Sequence, residues 1–258
     1  QVHSPHDYFY FAARNTVSGL GLQTFDRGAV FGSAERLQGV LHFPVDAQFD
    51  PAETGVLHEL AHRWVNFSNL PNLRDARPHF PISTLAFGIT GRNDPVTNKR
   101  LIFRFALTPQ ADGTFRVNRT ADQPRAFNDM ELYLLGLIPA DSVGPHLVFQ
   151  NQNQELELRN NGVLQGPVDT LTVAEWIARE GPRMPSYQSA QRNFRMATIV
   201  LSRGALLSRD ELSFFNYMAA RGEAVSDLLY TEVSTRLTTL PFFLATGGRA
   251  TLSSALLR

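Results

Sequence analysis

The sequence predicts an α+β fold, with a mixed or antiparallel sheet lobe in its N-terminal part and a mostly helical lobe in its C-terminal part. Segments rich in β-formers and glycine occupy the beginning of the chain, at Tyr8–Ala12, Gly21–Phe25 and Leu37–Phe43. The segment Asp50–Phe67 then has the periodicity of a helix. Helical patterns prevail after Phe127. The change from strand patterns to helix patterns along the chain is typical of the α+β class.

The helix over Asp50–Phe67 is predicted by a capping pattern at its start and by an apolar side. The capping pattern consists of Asp50, Pro51 and Glu53. The apolar side is formed by Leu57, Leu60 and Trp64. We therefore expect this helix to pack against a core by one side and to present its other side to a cleft.

The remaining elements follow from local patterns. Between Asn69 and Arg125 the chain is rich in Pro, Asn and Asp, which predicts long loops with one hairpin formed by Leu101–Ala106 and Thr114–Val117. Farther along, helices are predicted at Asn128–Ile138, Leu171–Glu180 and Ser208–Arg221, and a strand at Phe194–Leu201. Capping boxes are expected from Thr172 with Glu175 and from Ser208 with Glu211.

Composition limits the classes of function. The 258 residues carry 24 Lys and Arg against 24 Asp and Glu, so we expect neither nucleic acid nor membrane as a partner. The absence of cysteine excludes disulfides and thiolate metal sites. No apolar run approaches the roughly 20 residues of a spanning helix. We expect a soluble single domain over residues 1–258, with approximate lobes 1–120 and 121–258, and leave the oligomeric state open.

His58, Glu59 and His62 form an HExxH pattern. Residues four apart lie on one helix face, so the two imidazoles can converge on one metal ion. Glu59 lies about 100° round the helix from His58 and flanks that ion. Chance gives this pattern in about one sequence in a hundred of such composition. We therefore predict a zinc hydrolase, in which Zn²⁺ lowers the pKa of a coordinated water and Glu59 acts as the general base.

A catalytic zinc normally takes a third protein ligand. The metzincin pattern does not supply it, because Ser68 stands where that pattern has a histidine. Glu131 is the predicted ligand, since a carboxylate in so apolar a helix needs a metal or a hydrogen-bonded partner. The alternatives are that Glu131 is an ordinary exposed helical residue, that Asp129 takes its place on the metal, and, as a weaker rival, that His79 does.

Amide hydrolysis also requires a group that donates a hydrogen bond to the oxyanion of the tetrahedral intermediate. The candidates are Tyr133, His79, His146 and Tyr187. Asp129 is a candidate for a supporting position next to the metal ligands. Sequence alone does not choose among these residues.

Three segments resemble a group of bacterial, exported, zincin-like metallopeptidases: Leu37–Phe43, Leu57–Trp64 and Glu131–Leu137. The similarity continues through Gly181–Pro185 and Asn193–Arg195 towards Ala245–Gly247 and so covers most of the chain. The resemblance implies a zincin-like fold of the gluzincin type, a zinc cofactor with Glu131 as third ligand, and a secreted or extracellular location.

The resemblance also implies a substrate class. In zincins the strand before the active-site helix commonly lines the cleft, so Leu37–Phe43 is expected to bind an extended peptide or protein segment as an added strand. Two alternatives remain: a non-catalytic module that binds a peptide or glycan, and a zinc hydrolase of a non-peptide substrate. The first is disfavoured because a structural zinc site has no use for an unliganded carboxylate such as that of Glu59.

Overall fold

The computed structural model describes residues 9–33, 35–43, 55–93, 100–101, 105–119, 126–226 and 240–256. These residues form short helices and small sheets, which confirms a mixture of α and β structure. The α-helices are α1 (Gly55–Ala61), α2 (Pro71–Arg74), α3 (Asp129–Leu135), α4 (Glu155–Arg159), α5 (Val173–Glu180), α6 (Arg209–Glu223) and α7 (Phe242–Ala245). Short 3₁₀ turns occupy Gly28–Phe31, Thr84–Phe87 and Ala140–Ser142.

The strands pair into several small sheets. They are β1 (Phe9–Ala12), β2 (Arg14–Asn15), β3 (Phe25–Asp26), β4 (Gly39–His42), β5 (Arg92–Asn93), β6 (Arg100–Leu101), β7 (Phe105–Pro109), β8 (Phe115–Arg119), β9 (His146–Phe149), β10 (Val163–Leu164), β11 (Val168–Leu171), β12 (Asn193–Thr198) and β13 (Thr251–Leu256). Antiparallel pairing joins β1 to β4, β2 to β3, β5 to β6 and β9 to β11, and orders a further sheet β10-β8-β7. Strands β12 and β13 pair in parallel.

The first sheet confirms two strand predictions. Phe9 lies opposite His42 and Ala12 opposite Gly39, so β1 and β4 form an antiparallel ribbon that contacts α1. The predicted strand Gly21–Phe25 is wrong except at its last residue. Gly21 has a φ of +82°, and a Cβ there would lie 2.4 Å from the carbonyl oxygen of Phe67, so this glycine serves a close approach of two backbones instead of a strand.

The predicted hairpin after residue 100 is present as β7 and β8, in which Leu107 lies opposite Val117. The residues between β6 and β7 lie outside the described residues. Strand β8 also pairs with β10, where Phe115 lies opposite Leu164. One sheet therefore contains segments from both sides of position 120.

The larger of two hydrophobic clusters in the described residues draws on segments from Val17 to Leu252. Its fully buried members include Leu20, Trp64, Phe80, Leu134, Trp176 and Phe242. The Trp64 ring meets the ring of Phe194 edge to face, with centroids 5.6 Å apart, and Phe194 meets Phe242 in the same way. The predicted apolar side is confirmed for Leu57 and Trp64, which are buried in this cluster, whereas Leu60 is only partly buried. Through Trp64, the segment that follows α1 packs against β12, which in turn contacts α7.

Helix α1 ends at Ala61, six residues before the predicted end at Phe67. Two i→i+3 bonds tighten its last turn, from Arg63 N to the Leu60 carbonyl and from Trp64 N to the Ala61 carbonyl. His62 consequently lies in the turn that follows the helix. The capping residues predicted for its start, at positions 50–53, lie outside the described residues.

Helix α3 is fixed at both ends. A capping box closes its start, since the Asn128 side chain accepts from Glu131 N and the Glu131 carboxylate accepts from Asn128 N. At the other end Gly136 adopts φ +80°, and the buried guanidinium of Arg183 donates to the carbonyls of Leu134 and Leu135, both at 3.0 Å. Burial lowers the pKa of Arg183 to about 10.

The C-terminal part contains more strand than the sequence predicted. The capping boxes of α5 and α6 are confirmed, and α6 continues through the predicted stop to end at Glu223. Strands β9, β10, β11 and β13 were not predicted. The first three have only two to four residues each, too few for periodicity to be read. The longest helix of the described ranges, α6, has 15 residues, and no helix there is long and apolar enough to cross a membrane.

Replacing Arg183 by methionine should lower the free energy of unfolding by about 2–4 kcal/mol, because two buried carbonyls at the end of α3 lose their donors. Urea denaturation of the metal-free chain measures this. The matched control is Arg195→Met on the exposed side of β12, which should change stability by less than about 0.5 kcal/mol. Equal effects of the two substitutions would contradict the capping role of Arg183.

Candidate metal centre

Three imidazoles meet at the end of α1. The Nε2 atom of His58 lies 3.1 Å from Nε2 of His79 and 3.2 Å from Nε2 of His62. In the part of the chain that the structure describes, these three side chains form a group whose ligand atoms all lie within 4.8 Å of one another. His58 and His79 are buried and His62 is partly buried, so the group is closed on the core side and reached from the side of His62.

The spacing of the nitrogens fits a small metal cation. Ligands at 2.0–2.1 Å in a tetrahedral zinc site are separated from one another by about 3.3 Å, close to the separations of His58 Nε2 from its two neighbours. A shared proton joins only two nitrogens, whereas a metal ion binds all three lone pairs together. The arrangement can therefore hold a metal ion, but the spacing of the nitrogens does not identify the metal.

Backbone carbonyls orient two of the rings. His58 Nδ1 lies 3.1 Å from the Ile89 carbonyl oxygen, and His62 Nδ1 lies 3.2 Å from the Val65 carbonyl oxygen. A carbonyl oxygen only accepts, so each Nδ1 carries the hydrogen and each Nε2 presents a lone pair. Metal-binding histidines usually have this arrangement, in which the second ring nitrogen donates to a fixed acceptor.

His79 is positioned through its backbone. The Asn66 side chain donates to the His79 carbonyl at 3.1 Å, and Asn66 N donates to the carbonyl of Pro78 at 3.0 Å. Asn66 is fully buried. The turn that carries His62 is thereby tied to the segment that carries His79, which keeps the two histidines at a fixed distance.

Glu59 follows His58 on α1 and has only 1% of its surface exposed. A carboxylate buried to this extent requires compensation by hydrogen bonds or by positive charge. A metal ion held by the adjacent histidines supplies such charge. The helix geometry places Glu59 beside the group instead of within it, as the HExxH pattern predicted.

The prediction that Glu131 is the third ligand is not supported by its position. Its carboxylate is fully buried and accepts four hydrogen bonds: from Ile89 N, Thr90 N, Thr90 Oγ1 and Asn128 N, at 2.5–3.0 Å. Burial raises the pKa of Glu131, and these hydrogen bonds oppose the rise. His79, which the sequence offered as the weaker rival, is instead the third member of the histidine group.

The segment from Leu85 to Thr90 is wrapped closely on the start of α3. Asn128 Nδ2 donates to the Leu85 carbonyl at 2.7 Å. A Cβ on Gly88 would lie 1.9 Å from Glu131 Oε2, so only glycine permits this approach. The segment is thus held to α3 on one side and, through Ile89, to His58 on the other.

The other predicted site residues lie elsewhere. Asp129 Oδ1 lies 2.9 Å from His146 Nε2, and His146 Nδ1 lies 3.0 Å from Thr84 Oγ1, so these residues join α3 to β9 and the preceding 3₁₀ turn. Tyr133 Oη accepts from Arg183 N at 3.3 Å. The Tyr187 ring lies against the guanidinium of Arg192. Of the four oxyanion candidates, only His79 is in the histidine group.

Sequence reasoning missed Asn66 and the Ile89–Thr90 peptide as supports of the site. Asn66 follows the HExxH pattern by four residues, and nothing in its local sequence distinguishes it from a surface asparagine. The role of Ile89 depends on a backbone carbonyl, which leaves no mark in the sequence. The only available indication for His79 was its residue type.

Alanine at position 79 should lower metal affinity by more than about 100-fold, as should alanine at position 58 or 62, because each substitution removes one of three ligands. Titration of the metal-free chain with Zn²⁺, followed by calorimetry, measures the affinities. His42→Ala, which removes a histidine of β4 outside the group, is the control and should leave the affinity unchanged. Unaltered affinity in the His79→Ala variant would exclude His79 as a ligand.

Replacing Asp129 by asparagine should destabilise the fold less in acid than near neutrality. Burial alone would raise the pKa of Asp129, but hydrogen bonds from His146 and Gly144 hold it below its ordinary value. The carboxylate therefore stabilises the fold above about pH 4 and loses this effect as the pH falls through its lowered pKa.

Urea denaturation of both proteins at about pH 7, pH 5 and pH 3 checks this effect. The difference in stability between them should be similar at the two higher values and smaller at the lowest. Asp141→Asn, on an exposed turn, should show no such trend. A difference that grows towards acid would contradict the lowered pKa of Asp129.

We compared the chain with known proteins to look for relatives. No protein-family model, no curated protein and no solved structure matches the chain. The resemblance of its segments to zincin-like peptidases therefore remains an inference from the HExxH pattern and its surroundings. What the geometry supports by itself is a candidate metal centre formed by His58, His62 and His79.

Proposed function

We propose that the chain is a zinc-dependent hydrolase that cleaves peptide bonds, with the metal held by His58, His62 and His79 and with Glu59 as the general base. The observation that carries the proposal is the convergence of three imidazoles next to Glu59, a buried glutamate that follows His58 on α1. A histidine-only ligand set leaves a fourth position for water or substrate, as catalytic zinc sites do.

Zinc is favoured over other metals by the ligand chemistry. Imidazole suits zinc, copper, iron and nickel, whereas magnesium and calcium prefer oxygen ligands. The separation of the nitrogens around His58 is compatible with a tetrahedral zinc site, which supports the choice of zinc within this group. Zinc at such a site supplies Lewis-acid chemistry and lowers the pKa of a water molecule to about 7.

Glu59 supplies the acid and base steps. Its carboxylate accepts the proton of the attacking water and returns it to the leaving amine nitrogen, so one group serves both halves of amide hydrolysis. Glu59 is buried and follows His58 on α1, so its carboxylate lies next to the proposed metal position. A structural metal site gives no reason for a carboxylate at this position.

The ribbon of β1 and β4 favours an extended peptide as substrate. Strand β4 contacts α1 and, among the described residues, pairs with one strand only, β1. An extended peptide can add to the other edge of β4 through backbone hydrogen bonds. This placement supports the proposed use of the strand around Gly39–His42 in substrate binding.

Glu59→Gln should keep the metal and the fold while lowering peptide hydrolysis by at least about 100-fold, because an amide has the shape of the carboxylate but cannot accept the proton. Turnover of a mixed peptide library by the zinc-loaded chain, with and without a chelator, measures the activity. The control Glu157→Gln, on α4, should retain full activity.

The same assay separates the rival functions. Binding of library peptides without cleavage by the wild-type chain would favour a non-catalytic binding module, and chelator-sensitive hydrolysis of esters but not of peptides would favour a non-peptide hydrolase. Full activity of the zinc-loaded Glu59→Gln variant would remove Glu59 from the mechanism while leaving the metal centre in place.

A further inference from the structure

We infer that Glu131 is a positioning residue for the metal centre, acting on His58 through the peptide group between Ile89 and Thr90. The inference rests on the proposed metal centre and assigns Glu131 a part in it that is different from ligation. It depends on one geometrical fact: the same peptide group contacts the carboxylate on one side and the imidazole on the other.

The contacts form a continuous series. Glu131 Oε1 accepts from Thr90 N at 2.9 Å, and the carbonyl of the same peptide group, on Ile89, accepts from His58 Nδ1 at 3.1 Å. In a trans peptide the N–H and the C=O point in opposite directions, so the group bridges the two side chains in line. His58 Nε2 then faces the other two histidines.

The carboxylate is held firmly enough to define the position of this peptide. It is fully buried, and Ile89 N and Thr90 Oγ1 bind it in addition to Thr90 N. The fourth donor is Asn128 N, at the start of α3. Three of the four donors are backbone N–H groups, which accept nothing and so stabilise the ionised form. The rigid start of α3 thereby determines where the Ile89 carbonyl stands.

The series also has an electronic consequence. A hydrogen bond from a peptide N–H to an anion increases the negative charge on the oxygen of that peptide through amide resonance. The Ile89 oxygen therefore becomes a better acceptor for His58 Nδ1–H, which makes His58 Nε2 a stronger donor to a metal. Metal-binding histidines often donate directly to a carboxylate with this effect, and here one peptide group stands between the two.

The test is a Co²⁺ titration of the metal-free wild-type chain and of Glu131→Gln, followed by visible absorption, which reports both affinity and ligand geometry. The amide of glutamine can accept with one end only, so at least one N–H of the segment faces another donor. We expect Co²⁺ affinity to fall by about 10–100-fold and the absorption bands to shift.

The matched control is Glu175→Gln in α5. Glu175 occupies the same third position of a capping box but lies on a different helix, so this variant loses the same kind of cap without touching the series. It should bind Co²⁺ with the affinity and the spectrum of the wild type. If Glu131 had only a structural role, Glu131→Gln would lower thermal stability and leave the Co²⁺ spectrum unchanged, as is expected of the loss of a capping box in Glu175→Gln.

Glu131→Asp keeps the charge but moves the carboxylate away from Thr90 N by the length of one methylene. It should therefore also weaken Co²⁺ binding. This variant replaces Glu131→Gln in the comparison if Glu131→Gln does not fold. In the unaltered chain, NMR should show a slowly exchanging Nδ1 proton on His58. Wild-type affinity and spectrum in a folded Glu131 variant, or a rapidly exchanging proton, would overturn the positioning role alone. A wild-type chain that binds no Co²⁺ would overturn the metal centre itself.

Discussion

The proximity of three imidazoles at the end of α1 is the constraint on which the site depends. Their nitrogens stand 3.1 and 3.2 Å from the central His58 Nε2, a distance at which uncharged lone pairs repel unless a cation lies between them. The carbonyls of Ile89 and Val65 prevent the rings of His58 and His62 from turning away. The surrounding backbone must therefore hold this geometry against repulsion, which a metal ion bound to the three histidines would compensate.

The fold meets this requirement by tying each ligand to the core. Trp64, two residues after His62, is locked among aromatic rings, and Asn66 then fastens the next turn to His79. Helix α3 contacts His58 indirectly: Glu131 binds Thr90 N, and the carbonyl of Ile89 accepts from His58 Nδ1. The guanidinium of Arg183 fixes the other end of the same helix. The stability of α3 and the geometry of the metal centre are thus linked physically.

Sequence reasoning succeeded where the interaction is local. HExxH brings His58 and His62 together because four residues make one helical turn, and the capping boxes at Thr172 and Ser208 involve residues three positions apart. His79 was underrated because its approach depends on a loop whose path is set by tertiary contacts. No spacing rule connects it to α1.

The case of Glu131 shows a physical argument that left two kinds of partner open, a metal or hydrogen-bond donors. A buried carboxylate in an apolar helix does need compensation, as the sequence indicated, but backbone N–H groups of Ile89 and Thr90 provide it instead of a metal. Backbone donors are present at nearly every residue and cannot be located from residue types. The mixture of helices and strands could be predicted from sequence patterns, whereas strands β9 to β11 are too short to produce a pattern.

Anomalous diffraction at the zinc absorption edge, from crystals grown with Zn²⁺, tests the central claim most directly. The account predicts one strong peak per chain, about 2.0–2.1 Å from the Nε2 atoms of His58, His62 and His79, with the Glu131 carboxylate still on Ile89 and Thr90. A peak coordinated by Glu131, or none at the three histidines in zinc-saturated crystals, would contradict it.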